Sequence, residues 1–281
     1  MKILTIGNSF SESLTAFFPQ IVQSVGEELQ LGRASFGGCE LCRHWSYICA
    51  EEADPDCIIY GGGARKLRDI LSSDSWDVVT IQQASHESWR AECYEPFAGN
   101  MIHYIRQHAP GAEVLLQQTW AYRADHPQLQ PGSEWGIHQL MMYQRLTENY
   151  KNLAECYQCR IIPTGYAVQL ARENEKSRFC NYSEALLNAL RWPDLPPQCG
   201  DVVGKALWGK NQDSGELEIK RDLIHLNCRG QYLQACVWLA CLYPCKTAEV
   251  SFVPDEIGCS DADFLRKIAQ RAVDSFQVGN E

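Results

Sequence analysis

The sequence predicts an α/β protein: a three-layer α/β/α sandwich built on a mostly parallel five-stranded sheet. Two observations carry this. Short apolar runs of strand length, at about 2–6, 31–36, 77–82, 113–117 and 160–163, alternate with longer segments whose apolar residues recur every three or four positions. That alternation is the pattern of parallel strands joined by helices that cover both faces of a sheet. The second is size: 281 residues, 45% hydrophobic and 21% charged, are enough to bury a full core. One domain over 1–281 is expected, with a lid or insertion at about 177–220.

The elements follow in order. Ile3, Leu4 and Ile6 form the first strand, which breaks at Gly7-Asn8-Ser9. Leu14, Phe17, Phe18, Ile21, Val22 and Val25 then have helical spacing. The second strand ends at Gly37-Gly38, and 41–53 reads as a helix closed by Asp54-Pro55-Asp56. Gly61-Gly62-Gly63 marks a turn before a short helix at about 65–71. Val78, Val79 and Ile81 are the core of the clearest buried strand, and helix 96–108 stops at Pro110-Gly111. Strand 113–117 runs into Thr119-Trp120-Ala121-Tyr122, and 123–135 is loop-like. Helical patterns follow at 134–156, 166–174, 183–190 and 229–242, with a proline-rich loop at 192–200. Residues 201–221 are ambiguous apart from a hairpin turn at 211–215, and a less apolar tail follows Pro254.

Composition excludes several functions. A net charge of −10 argues against a general affinity for nucleic acid or an anionic membrane. No apolar run is long enough to span a bilayer; 235–243 is the longest candidate. The apolar stretch after Lys2 is already the first strand rather than a leader, so a cytoplasmic location is expected. The pairs Cys39/Cys42 and Cys156/Cys159, among 14 cysteines, lie too far apart in the chain for a zinc ribbon. Cys49, Cys57, Cys236 and Cys241 read as small buried hydrophobes. No metal or organic cofactor is expected.

In a parallel sheet, sites gather beyond the carboxyl ends of the strands. That rule places Ser9, Gly38, Gln83 and Trp120 on one rim. Ser9 stands where a strand turns into a helix, beside backbone N–H groups that lack partners. A serine nucleophile needs a base and a group that orients it. Asp222-Leu-Ile-His225, just before the last strong helix, offers both: the carboxylate on Nδ1, and Nε2 facing Ser9. Each motif also has a plain structural reading. Gly-Asn-Ser can be a turn, and Asp222 or Asn227 can cap a helix.

Together the motifs resemble the SGNH (GDSL-type) hydrolases. Gly7-Asn8-Ser9-Phe10 is a variant of that family's first block, and Asp222-x-x-His225 matches its last. Gly38, in Ser35-Phe-Gly-Gly-Cys39, fits the second block. Gly-Gly-Cys-x-Leu, Thr-Ile-Gln-Gln-Ala-Ser and Gln-Thr-Trp-Ala-Tyr are similar to a bacterial branch catalogued mostly as a domain of unknown function. The resemblance implies a flavodoxin-like SGNH fold, a Ser9–His225–Asp222 triad, and an oxyanion hole formed by the N–H groups of Ser9 and Gly38 with a side-chain amide. The family places an Asn after the third strand; here Gln83 supplies the amide, or His86 occupies that position in a gapless reading.

The implied reaction is hydrolysis of a short acyl ester, acetyl for example, on a small carbohydrate-like substrate. His44, His86, Trp89, Trp120 and Tyr122 are the expected rim residues, since aromatic faces with polar tips suit sugar rings. The alternatives are an acyltransferase using the same triad and a non-catalytic carbohydrate-binding member of the fold. The oligomeric state is open.

Overall fold

In a computed structural model the described residues are 1–174, 177–197 and 200–278. Five parallel strands, β1 (Lys2–Gly7), β2 (Gln30–Ser35), β3 (Val78–Ile81), β4 (Glu113–Gln117) and β5 (Arg160–Ile162), form one sheet in the order β2-β1-β3-β4-β5. Each expected strand is present within a residue or two. Ile6 pairs with Ala34 on one side and Ile81 on the other, and Ile81 pairs with Leu116, so four strands end at one level. The chain first steps outward from β1 to β2 and then restarts on the other side at β3. The crevice at such a reversal lies beyond the end of β1.

Helices form two groups. Leu41–Ala53, Leu67–Ser72 and Gln139–Tyr157 all pack on Phe97–His108, and Phe18–Ser24, Thr164–Glu173 and Cys259–Val278 all pack on Cys228–Leu242. Helix Cys228–Leu242 is buried on nearly every side, as its apolar sequence requires. The tail after Pro254, read from sequence only as less apolar, holds the 20-residue helix Cys259–Val278. Ala262, Leu265, Ile268, Ala269, Ala272 and Val273 form its buried stripe; the charges between them obscured the period.

The ambiguous stretch is a two-stranded antiparallel ribbon, β6 (Val203–Lys210) and β7 (Leu217–Leu226). Its turn is the expected one: Asn211 Oδ1 accepts from Asp213 N and Ser214 N. Helix Glu184–Ala189 precedes the ribbon; of the expected loop 192–200, positions 198 and 199 lie outside the described residues. Trp208 Nε1 donates to Asp194 O, joining that loop to β6. Cys236 is buried as expected, but Cys49 is exposed on the outer side of its helix, and Cys57 and Cys241 are half-buried. Among the described residues no helix is long and apolar enough to cross a membrane.

Candidate active site

The corner after β1 is built from close approach and side-chain amides. Gly7 leaves no free room for a side chain: a Cβ there would stand 2.6 Å from Ser11 Oγ and 3.1 Å from the Gln82 amide carbon. A one-turn helix, Ser9–Glu12, starts at Ser9 itself, earlier than the helical spacing from Leu14 implied. Asn8 caps it, its Oδ1 accepting from Phe10 N at 3.1 Å and from Gln82 Nε2 at 2.6 Å. Asn8 Nδ2 donates to Cys39 O at 3.1 Å, which ties the corner to the loop after β2. So short a helix leaves carbonyls without intrahelical donors. Two buried glutamines supply them: Gln117 Nε2 at 3.2 Å and Gln234 Nε2 at 2.9 Å both donate to Phe10 O.

His225 and Asp222 come from an irregular end of β7. Val203 pairs with Leu226, but Lys205 pairs with Asp222, so Gly204 alone faces Leu223, Ile224 and His225. This bulge folds the backbone around the Asp222 carboxylate, whose Oδ1 accepts from Ile224 N and His225 N at 3.0 Å each. Oδ2 accepts from His225 Nδ1 at 2.9 Å. A carboxylate only accepts, so the proton sits on Nδ1 and Nε2 is left to accept from Ser9 Oγ at 2.9 Å. Burial works to raise the Asp222 pKa, but hydrogen bonds from the His225 ring and the two amides outweigh it and hold the carboxyl well below the usual range. The Phe10 ring meets the His225 ring edge-on at 5.8 Å. Asn227, the other expected cap, accepts from Gly230 N and starts helix Cys228–Leu242, so the turn serves both roles.

Gly38 adopts a left-handed conformation, φ +59°, with nothing within 4 Å of where a Cβ would be. Among the described residues the N–H groups of Ser9 and Gly38 have no acceptor. Gln83 is almost fully committed elsewhere. Its Oε1 accepts from Leu41 N at 3.0 Å and Ala84 N at 2.8 Å, and its Nε2 donates to Cys93 O at 2.7 Å. It therefore fastens the exit of β3 to the start of the helix behind Gly38, leaving one N–H over. His86 lies to the side, 3.0 Å from Glu40 Oε1, with its side chain 38% exposed.

Three of the expected rim residues are instead buried supports. His44 is fully buried, with Nε2 3.0 Å from Gly7 O and Nδ1 2.9 Å from Tyr60 Oη. Since Gly7 O can only accept, Nε2 carries the proton; burial pushes the pKa down to about 4, so the ring is neutral. Trp120 stacks on Phe10 at 3.9 Å and donates from Nε1 to Ile224 O at 2.9 Å, backing the His225 bulge. Tyr122 is buried, its Oη 2.8 Å from Ser85 Oγ. Burial follows from position: Trp120 and Tyr122 follow the end of β4, and His44 lies on the buried face of helix Leu41–Ala53 with Leu41 and Ile48. Beyond them lies a half-exposed aromatic strip that sequence reasoning found only in Trp89. His126, which lines a cavity with Asp222 and His225, packs 5.9 Å from Trp135, and Trp135 lies 5.6 Å from Trp89.

Gln117, Gln234 and the Arg123–Asp125 pair beside the bulge were not singled out from sequence. A glutamine inside the apolar run Tyr232-Leu-Gln-Ala-Cys236 was the available signal, since a buried amide must have partners.

Comparison with other proteins places the fold. A DUF4886 family protein from Bacteroides uniformis superposes with a TM-score of 0.72 at 22% identity, covering 97% of this chain and 94% of that one. A candidate SGNH hydrolase from Slackia heliotrinireducens gives 0.51 at 19% identity, covering 84% and 96%. An acetyl xylan esterase, AlAXEase, gives 0.50 at 16% identity, covering 86% and 100%. No curated protein matches the chain in sequence. The architecture is thus the α/β/α sandwich of SGNH hydrolases. With residues 2–185 matching its pattern, the chain belongs to the family described as Domain of unknown function (DUF4886).

Proposed function

We propose that the protein is a serine esterase of the SGNH type that removes short acyl groups, acetyl foremost, from small carbohydrate-like alcohols. One observation carries the reading: a continuous hydrogen-bonded chain from Ser9 Oγ through His225 to Asp222, with both links at 2.9 Å. In the reaction, His225 Nε2 takes the Ser9 proton as Oγ attacks the ester carbonyl. The N–H groups of Ser9 and Gly38, with the remaining Gln83 N–H, would receive the oxyanion. Collapse expels the alcohol, which takes the proton back from His225. Water then enters by the same route, and His225 is open to it, its side chain 36% exposed. That access favours hydrolysis over transfer to an acceptor.

The alcohol must lie on the side of His225, its proton donor. The cavity there is lined by His126, which begins the strip His126, Trp135 and Trp89, whose flat faces suit a sugar ring. The acetyl xylan esterase among the fold neighbours makes acetylated sugars the first class to assay. The test is labelling with a fluorophosphonate and mass mapping of the adduct, followed by assays on acetylated sugars. Modification at Ser9 and release of acetate are expected. Unlabelled Ser9, or undiminished turnover in Ser9→Ala, would overturn the reading.

A further inference from the structure

The bulge that carries His225 has only Gly204 opposite it, so the β6–β7 ladder does not fix its position. The segment after β4 does. Arg123 N donates to Leu223 O at 2.9 Å, one residue before the point where Trp120 Nε1 holds Ile224 O. The Arg123 side chain then closes on Asp125 through a two-pronged pair, Nε–Oδ1 at 2.7 Å and Nη2–Oδ2 at 3.0 Å. The two side chains are 4% and 8% exposed. Asp125 Oδ2 also accepts from Arg221 Nη1 at 3.3 Å, on the residue immediately before Asp222. The Phe179 ring covers the Arg123 guanidinium at 4.3 Å. Gly204 lies close against it: a Cβ there would stand 2.8 Å from Arg123 Nη1 and 2.7 Å from Asp222 O.

Asp125 therefore joins two pieces of chain: the turn after β4, and β7 just before the carboxylate that orients His225. A buried ion pair contributes little net stability compared with an apolar replacement; its best-attested use is to fix register. Here the register is that of His225 against Ser9. We propose that Asp125 and Arg123 are positioning residues, which hold the bulge where His225 Nε2 meets Ser9 Oγ. They touch neither substrate nor the reacting atoms. The proposal rests on the serine-esterase reading only for its kinetic consequences.

The test compares Asp125→Asn, Arg123→Lys and a control, Glu113→Gln, which breaks an exposed pair with Arg160 at the opposite end of β4. Two quantities are measured in folded protein: kcat and KM on an aryl acetate, and the downfield proton resonance of the His225 Nδ1–H bond, assigned by its loss in Asp222→Asn. Misplacing a reacting group by 1 Å costs about 100-fold, so Asp125→Asn is expected to lower kcat about 10- to 100-fold with KM nearly unchanged. Its downfield resonance broadens or vanishes. Arg123→Lys keeps the charge but not the fork, and falls between Asp125→Asn and wild type in both readouts. Glu113→Gln changes neither. A folded Asp125→Asn protein with wild-type kcat and an intact resonance overturns the proposal. Should that variant not fold, Arg123→Lys decides by the same two readouts. Should wild-type protein hydrolyse no ester and label at no serine, the esterase reading fails, while the resonance still decides the positioning.

Discussion

Ser9 and His225 meet at one hydrogen bond, yet the chain on either side of that bond is held differently. Around Ser9 the backbone is pinned by neutral groups: the Asn8 cap, the Gln82, Gln117 and Gln234 amides, and a neutral His44 on Gly7 O. Around His225 the backbone leaves its ladder, and charged groups take over: Asp222 on the ring, and Arg123–Asp125–Arg221 behind the bulge. Neutral amides inside a sheet rim hold their positions at any pH and salt. Buried ion pairs hold theirs only while both partners are present, since removing one leaves the other charge uncompensated. The nucleophile rests on several neutral bonds and the base on paired charges.

The contrast is tested hardest at the triad itself. Removing the nucleophile in Ser9→Ala is expected to lower kcat on p-nitrophenyl acetate roughly a million-fold. Asp222→Asn, which leaves the ring in the wrong tautomer, is expected to cost roughly ten-thousand-fold. Initial rates, normalised to folded protein, check both.

Acid separates the two sides next. His44, with its pKa pushed from 6.5 down to about 4 by burial, stays neutral in the folded protein while the unfolded chain takes up a proton. Stability from this group is therefore lost as pH falls from 6.5 towards 4, by about 3 kcal/mol in all, and no further below that. His44→Gln should flatten this part of a urea-midpoint profile. Asp222 acts at the other limit: its lowered carboxyl adds stability above the ordinary carboxylate range, and that is lost as pH falls from that range to its depressed folded value.

The two glycines then compare close approach with backbone conformation. Gly204→Ala meets backbone at 2.7 Å and needs φ +88°, whereas Gly7→Ala meets the movable Ser11 hydroxyl at 2.6 Å. The first should cost about 2–3 kcal/mol in urea unfolding and the second about 1 kcal/mol. Smallest of all, Gln234→Leu removes one of three side-chain donors to Phe10 O, leaving Gln117 and Ser13, and one of the two acceptors within reach of Ser13 Oγ. A loss of about 0.5 kcal/mol is expected by the same measurement.

The same contrast decides what could be read from sequence. All five strands, the rim they share, and the pairing of a strand-end serine with Asp-x-x-His rest on short-range patterns, and a linear reading captures those. The bulge was not legible, because it is a mismatch between two strands, 203–205 against 222–226, that shows only once they pair. Nor were the roles of His44, Trp120 and Tyr122. Their residue types suit a rim, and only the third dimension shows that Gly7 O, Phe10 and Ser85 claim them. Gln83 sat at the right strand end, but its carbonyl bonds to Leu41 and Ala84 depend on how the loop behind Gly38 closes.

The bond between Ser9 and His225 spans 216 positions of the chain. Its formation waits on the ribbon and on helix Cys228–Leu242, which follow all five sheet strands in the chain. A growing chain with its five parallel strands complete thus carries a serine with no base beside it. On the esterase reading, reactivity waits for these distant contacts, the slow class of folding event, so a chain still lacking the ribbon is chemically silent.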